Sequence, residues 1–281
     1  HAVLAAAALD RGVHVLVEKP GALSLAEAED LRARAAGAGR LLWVGLNRRY
    51  LPSFRGLKER LDAGTESPRW IQSEFCLAVE RWQPLGRFLG DPARGGGVLH
   101  DVVSHQVDLL AWLVERPIRV VRAVSWSKGS AGGETLDFEV RFEGGLTAAG
   151  KAGHTPYYRE SIEVEAGGSR MLAQPNVLVE GRPASSTGLR RRAAAAAWAN
   201  RKLIRFGLHR DDMAVSFLRE WQAFARAVRG EPASGRPADA ETLVRLHRAL
   251  EALARSNRLG GEWCDVEVGG TMAMTRARSA E

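Results

Sequence analysis

Hydrophobic and polar positions in the first part of the chain follow two alternating periods. Residues 2–11 and 24–37 show helical periodicity, whereas residues 13–17 and 41–44 are short, continuous apolar runs typical of buried parallel strands. The second helix has a clear start signal, because a serine precedes a glutamate by three residues, as in a capping box. Helix, strand, helix and strand joined by short loops predict an α/β unit with a parallel sheet.

From residue 51 onward the pattern changes to short apolar segments separated by glycines or charged turns, which are typical of an antiparallel sheet. These segments lie at residues 70–78, 119–126, 135–142, 146–152, 161–165, 171–173 and about 263–268. Helical periodicity recurs at about residues 53–61, 98–114, 212–228 and 240–256. The second part is therefore predicted to be α+β, and the two predicted domains are residues 1–47 and 48–281.

The composition is that of an ordinary globular protein, since 45% of the 281 residues are hydrophobic and 26% are charged. No uninterrupted apolar run approaches the roughly 18 residues of a membrane span. The formal net charge of +7 comes mostly from arginines spread along the chain, which does not by itself imply nucleic acid. Cys76 and Cys264 are far apart in sequence, so we expect two reduced core thiols.

An arginine-rich segment at residues 189–210 also carries Trp198 and Phe206. Such a segment could be an amphipathic surface helix that touches an anionic membrane, a nucleic acid or a second subunit. It could also be a solvated helix that covers the sheet. We favour the last alternative and expect neither a nucleic acid nor a membrane as a partner.

Charged residues follow the first apolar strand, where Glu18 and Lys19 precede Pro20. A charged pair at the end of a buried strand is costly unless it meets water, a ligand or a partner. Ligands of parallel sheets bind beyond the carboxyl ends of the strands, and Asn47 and Arg48 follow the second strand in the same way. Lys19 is therefore a candidate functional residue, and a solvated lysine paired with Glu18 is the simpler alternative.

A second candidate lies in the segment GGGVLHDVVSHQVDLLAWL at residues 95–113. If this segment is helical, Asp101, His105 and Asp108 share one face. A carboxylate and an imidazole there could form a hydrogen-bonded pair in which the histidine takes a proton from a substrate hydroxyl. The alternatives are a core histidine beside an acidic group that complements the helix dipole, and a metal site that includes His100. We disfavour the metal because adjacent residues of a helix point about 100° apart.

Two further motifs precede that segment, namely HVLVEKPGALSLAEAEDL at residues 14–31 and WVGLNRRYLPSF at residues 43–54. In this order the three motifs resemble the Gfo/Idh/MocA family of NAD(P)-dependent oxidoreductases, and residues 217–257 resemble it more weakly. The resemblance implies the C-terminal remnant of a Rossmann-type parallel sheet. An open, mainly antiparallel sheet with helices on one face is expected to follow it.

The resemblance also implies roles for individual residues. Lys19 matches the lysine of the family's Glu-Lys-Pro motif, which contacts the reacting hydroxyl near the nicotinamide. Asp101 and His105 match the Asp-x-x-x-His motif, with His105 as the general base. The implied cofactor is NAD or NADP, and the residues expected to bind it are Glu18, Lys19, Pro20, Asn47 and Arg48.

The reaction implied by the family is hydride transfer between NAD(P) and a hydroxyl of a sugar, cyclitol or related polyol. Within the same fold, a tightly held NAD could instead support epimerisation, elimination or glycoside cleavage. Family members usually pair through the open sheet, so we expect a homodimer or a homotetramer.

The chain differs from the family at its start. Family members begin with a strand and a Gly-x-Gly-x-x-Gly turn that holds the pyrophosphate, and this chain has neither. We expect that roughly 70–100 residues are absent upstream of His1, and that the chain as written binds a dinucleotide poorly. A non-catalytic dimerisation or binding module is therefore a further hypothesis. We expect a cytoplasmic protein, with any export signal lying in the absent segment.

Overall fold

A small parallel sheet forms the N-terminal unit of the computed structural model, which describes residues 1–64, 66–78, 97–127, 134–181, 186–207, 211–232 and 236–266. The elements of this unit are α1 (Ala2–Leu9), β1 (Val15–Glu18), α2 (Leu25–Ala38) and β2 (Leu42–Gly45). β1 and β2 pair in parallel, with Leu16 opposite Trp43. The predicted alternation of helices and parallel strands is thereby confirmed.

The start of α2 shows how the local sequence determines the structure. The Ser24 hydroxyl accepts a hydrogen bond from the Glu27 backbone N–H at 3.2 Å, and the Glu27 carboxylate accepts one from the Leu23 N–H at 2.8 Å. Two N–H groups without helical partners are thus satisfied. The helix ends at Gly39, whose left-handed backbone (φ 60°) favours glycine. The predicted Ser24 cap is present, and Glu27 reaches back one residue further than in a standard capping box, to Leu23 instead of the Ser24 N–H.

The larger sheet contains eight of the described strands, in the order β10-β4-β5-β6-β3-β7-β8-β9. The strands are β3 (Trp70–Ala78), β4 (Ile118–Ser127), β5 (Glu134–Phe142), β6 (Thr147–Thr155), β7 (Arg159–Ala166), β8 (Ser169–Gln174), β9 (Val177–Gly181) and β10 (Cys264–Asp265). β3 and β6 pair in parallel, and the other neighbouring strands are antiparallel. The predicted fold class is confirmed. The sequence prediction missed β9, a five-residue strand at the sheet edge.

Helices connect and cover the two sheets. They are α3 (Pro52–Ala63), α4 (Ser104–Val114), α5 (Ser186–Arg205), α6 (Asp212–Val228) and α7 (Ala240–Arg258). α7 links the two sheets, because Arg248 donates a hydrogen bond to Glu29 of α2 at 3.0 Å and Ser256 accepts one from the Ala123 N–H of β4 at 2.9 Å. The hydrophobic core lies between α7, α4 and one face of the larger sheet.

The segment before α4 departs from the predicted regular helix over residues 98–114. Leu99–Val103 form a π-helical turn, and the Ser104 N–H donates to the carbonyl of Leu99, five residues back. Single π-helical turns of this kind are frequent at functional sites. This turn carries Asp101, one of the candidate site residues.

The arginine-rich helix α5 lies over the end of the larger sheet. Leu189 and Ala193 of α5 pack with Leu172 of β8 and Val177 of β9, and Arg190 donates a hydrogen bond to Glu163 of β7 at 3.1 Å. The helix therefore covers the sheet, as we favoured from the sequence. Residues 208–210 of the predicted segment lie outside the described residues.

Gly150 of β6 is required by its neighbour across the sheet. It lies beside Phe138 of β5, and a Cβ at this position would overlap the buried Phe138 ring. We expect Gly150→Ala to lower the free energy of unfolding by about 1–3 kcal/mol. Gly37→Ala in α2 is the matched control, since a Cβ at this position would meet no atom within 4 Å. This substitution should stabilise the helix by about 0.5–1 kcal/mol. Urea unfolding checks both, and equal stabilities would contradict the packing.

Two further expectations concern membranes and thiols. Within the part of the chain that the structure describes, no helix has both the length and the apolar character needed to cross a bilayer. Cys76 and Cys264 are both buried free thiols, as predicted.

Candidate active site

The carboxyl end of β1 brings Lys19 to the π-helical turn. The Lys19 Nζ lies 2.6 Å from Oδ1 of Asp101 and 2.9 Å from the Asp101 carbonyl oxygen. The side chains are 21% and 11% exposed, so this ion pair is partly buried and still reaches solvent. The end of a parallel strand thus presents a held ammonium group where ligands of such sheets bind.

A third residue, His154 near the end of β6, completes this cluster. Its Nε2 lies 3.0 Å from Oδ2 of Asp101, so the two carboxylate oxygens have separate partners in Lys19 and His154. Sequence analysis missed His154. The signal that could have found it is a histidine two residues after the buried Ala152, where strand alternation predicts another core residue.

The predicted hydrogen-bonded pair of Asp101 and His105 is wrong, because both oxygens of Asp101 bind groups from other elements. His105 is 4% exposed and packs against Phe75, with ring centroids 6.1 Å apart. Its Nδ1 is buried and has no hydrogen-bond partner among the described residues. Burial, followed by the positive charges of Arg48 and Lys19, holds the pKa of His105 well below its usual value.

Asp108 does not join Asp101 and Lys19, although the sequence predicted that Asp101 and Asp108 share one helical face. Its carboxylate accepts hydrogen bonds from Nε of Arg49 at 2.9 Å and from Nη2 at 2.5 Å, in a buried bidentate pair. Asp108 therefore anchors Arg49 and does not face the same ligand as Asp101. No group of three or more histidine, cysteine or acidic side chains in the described ranges is arranged to hold a metal ion.

Arg48 and Asn47, which follow β2, mainly bind other side chains. Arg48 donates to Glu160 at 3.2 Å and to the Asn47 side-chain oxygen at 3.0 Å, and its guanidinium lies 5.1 Å from the centre of the Phe75 ring. Asn47 is buried and donates to Ser216 at 2.8 Å. Asn47 thus orients Arg48, and the assignment of both residues to cofactor binding stays a prediction.

Glu18 and Pro20 lie on either side of Lys19 and differ in their surroundings. The Glu18 carboxylate lies beside Gly45, where a Cβ would be 3.0 Å from Oε2. Burial, reinforced by the nearby Glu18 charge, raises the pKa of Glu220 in α6 to about 8. The Pro20 carbonyl lies 3.2 Å from Nε2 of the buried His247, which holds the turn after Lys19 against α7.

The surroundings of Asp101 predict a pH-dependent stability. Burial alone would raise the pKa of Asp101, but the hydrogen bond from His154 and the charge of Lys19 outweigh it and lower this pKa to about 2. A carboxyl with a lowered folded-state pKa stabilises the protein above its unfolded value of 3.8, and this stabilisation is lost as the pH falls toward 2. The shift corresponds to about 2 kcal/mol at neutral pH.

We therefore expect Asp101→Asn to be less stable than the unmodified chain at neutral pH by up to about 2 kcal/mol. The difference should shrink as the pH falls from about 4 to about 2. Urea midpoints measured across this range check the result. The exposed Asp265→Asn is the control and should show no such trend; a difference for Asp101→Asn that stays constant with pH would contradict the assignment.

Two protein-family models match the chain, one over its N-terminal part and one over part of the larger sheet. Residues 1–46 match the oxidoreductase family with an NAD-binding Rossmann fold, and residues 54–173 match the GFO/IDH/MocA C-terminal domain. The chain belongs to the Gfo/Idh/MocA family. The resemblance carried by the three sequence motifs is thereby confirmed.

Individual Gfo/Idh/MocA relatives match the chain over part of their length. The uncharacterized oxidoreductase YdgJ of Escherichia coli is 32% identical over 139 residues, which are 49% of this chain and 39% of that protein. Myo-inositol 2-dehydrogenase of Thermotoga maritima is 26% identical over 176 residues, which are 60% of this chain and 51% of that protein. The chain thus spans about half or less of these curated relatives.

A solved Gfo/Idh/MocA structure shows the same fold. It is scyllo-inositol dehydrogenase from Lactobacillus casei with bound NAD(H) and scyllo-inositol, which superimposes with a TM-score of 0.71 at 20% identity. The similarity covers 95% of this chain and 77% of that chain.

Proposed function

We propose that this protein transfers a hydride between NAD or NADP and a hydroxyl group of a sugar, cyclitol or related polyol. The observation that carries the proposal is the Lys19–Asp101 ion pair at the carboxyl end of β1, with His154 bound to the same carboxylate. His105 lies close enough for the charge of Lys19 to lower its pKa. The inositol dehydrogenases among the relatives support the substrate class.

The chemistry of the donor set fits the nicotinamide end of such a cofactor. The Lys19 and Arg48 side chains carry positive charge at the carboxyl ends of β1 and β2, and 21% and 13% of their surface is exposed. Together with Glu18 they would hold that end of the cofactor. The printed chain has no glycine-rich turn for the pyrophosphate, so no residue is assigned to it.

The residues of the site have distinct tasks in this proposal. Lys19 binds the reacting oxygen and stabilises the negative charge that develops as its proton leaves. Asp101 fixes the direction of the Lys19 ammonium through the 2.6 Å contact. A bound nicotinamide supplies the hydride acceptor. The proton passes to a histidine, for which the site offers His105 and His154.

The proposal is tested by incubating the chain with a panel that includes myo-inositol, scyllo-inositol and glucose. NAD or NADP is supplied at concentrations high enough to offset the weak dinucleotide binding expected of this chain. We expect NAD(P)H to form with at least one of them. Sugar conversion without net NAD(P)H would favour transient oxidation, as in an epimerase or lyase. A folded chain that binds neither cofactor and converts no polyol would overturn the proposal in favour of a binding module.

A further inference from the structure

A cleft between the start of α3 and the helix α6 is lined by basic side chains, and none of its lining residues belongs to the cluster of Lys19, Asp101 and His154. Its volume is about 430 Å³, and no acidic residue is among the described residues that line it. We infer that this cleft binds the phosphate group of a phosphorylated small molecule. The polar side chains that line it are Tyr50, Arg55, Arg219, Gln222, Arg226 and Arg229.

One face of α6 supplies most of the positive charge. Arg219, Gln222, Arg226 and Arg229 follow one another at intervals of three, four and three residues, which places them on the same side of a helix. Arg226 and Arg229 both bind Glu231, at 3.1 Å and 2.6 Å, so their guanidinium groups are held near each other. Three arginines of this segment therefore meet Arg55 of α3 across the cleft.

Two of the four arginines have no counter-charge. Arg55 and Arg219 are half-buried, and neither guanidinium forms an ion pair or a hydrogen bond with another described residue. A cation that is partly removed from water is costly without a partner, and a bound anion would offset this cost. Guanidinium groups bind phosphate oxygens with two parallel hydrogen bonds. A phosphate ester carries close to two negative charges at neutral pH, so it matches two free arginines better than a single carboxylate does.

Tyr50 adds a neutral donor to the same cleft. Its side chain is 5% exposed, and its hydroxyl neither bonds to another described residue nor belongs to their enclosed, unpaired polar atoms, so it opens to the cleft. Burial, followed by the charge of Glu220, raises the pKa of Tyr50 to about 12, although the charges of Arg49 and Arg55 oppose the shift. The hydroxyl is therefore protonated at neutral pH and can donate a hydrogen bond to a phosphate oxygen.

The size and shape of the cleft favour a small molecule. The volume lies in the range of roughly 300–1,000 Å³ that is usual for small-molecule sites, and a bare phosphate ion would fill only part of it. A nucleic acid would need arginines that project from an exposed surface, whereas Arg55 and Arg219 are half-buried between two helices. We therefore expect a phosphate ester whose remaining part is small and polar, such as a sugar.

Isothermal titration calorimetry with glucose 6-phosphate tests the inference, with inorganic phosphate and glucose for comparison. A constant ionic strength of about 0.15 M screens non-specific attraction between exposed charges. We expect glucose 6-phosphate to bind, inorganic phosphate to displace it, and glucose alone to give no binding. Combining Arg55→Gln with Arg219→Gln should weaken the binding of glucose 6-phosphate at least about tenfold, because two charged donors to the phosphate are lost.

The matched control removes the same number of charges elsewhere. Arg191→Gln with Arg201→Gln changes two exposed arginines of α5 that do not line the cleft, so the affinity should stay within about twofold. Urea midpoints of both double variants show whether they remain folded. If the variant of Arg55 and Arg219 is destabilised, Arg219→Gln alone should still weaken binding by about threefold or more.

Three results would overturn the inference. They are no binding of glucose 6-phosphate, equal losses of affinity in the two double variants, and loss of binding in Lys19→Met, which would place the phosphate at the candidate active site. None of these measurements needs a cofactor or turnover. A failure of the proposed function therefore leaves the test of the cleft intact.

Discussion

Replacement of Lys19 by methionine is expected to lower kcat for polyol oxidation by about 10²–10³-fold, which is the effect of removing one preorganised donor from a developing oxyanion. Methionine has a similar length and no charge, so the reacting oxygen loses its partner. Lys19→Arg should not restore the rate, because a planar guanidinium cannot take the position of an ammonium held 2.6 Å from Asp101. Steady-state kinetics with NAD and NADP measure the effect.

The matched control is Lys202→Met. Lys202 is exposed on α5, and its ammonium lies 5.5 Å from the centre of the Trp198 ring. This variant should keep the rate of the unmodified chain. A second readout is the pKa of Asp101, which should rise from about 2 in Lys19→Met because the lysine charge lowers it. An unchanged kcat together with a raised pKa would show that Lys19 only pairs with Asp101 and takes no part in the reaction.

Elements with a sustained apolar period could be predicted from the sequence. The pattern predicts a strand over residues 70–78 and a helix over residues 212–228, and β3 and α6 have these bounds. In both cases the alternation of buried and exposed positions decides the structure. β9 escapes prediction because it has only five residues at an edge, and the π-helical turn escapes because it changes hydrogen bonding without changing the apolar pattern.

The candidate site could be predicted only in part. Lys19 and Asp101 can be singled out from the local sequence, because each is a charged residue at a position predicted to be buried. Burying a charge costs free energy unless a partner or a ligand compensates it. Their pairing with each other and with His154 depends on where β1, the π-helical turn and β6 meet in space. His154 is 53 residues from Asp101, and no local period links the two. The helical spacing of Asp101 and His105 therefore predicted that an imidazole lies beside the acid, but the histidine that Asp101 contacts is His154. The role of His105 in catalysis stays a prediction.

The largest loss of stability is expected from breaking the buried pair of Arg49 and Asp108. Their side chains are 7% and 2% exposed, and Arg49 also donates to the carbonyls of Arg236 and Pro237, each at 3.1 Å. Arg49→Met leaves the Asp108 carboxylate buried without a counter-charge and the two carbonyls without this donor. We expect the free energy of unfolding to fall by about 3–5 kcal/mol, measured by urea unfolding at neutral pH.

The double variant Arg49→Met with Asp108→Leu separates the value of the pair from the cost of an unpaired charge. Removing both charges avoids a buried ion, so the double variant should be more stable than Arg49→Met alone. Arg34→Met is the control, because Arg34 makes a comparable pair with Asp10 at an exposed site and should barely change the urea midpoint. If Arg49→Met lowered the free energy of unfolding no more than Arg34→Met does, the Arg49–Asp108 pair would not hold the segment after β2 against α4. The position of Arg48 beside Phe75 would then need another cause.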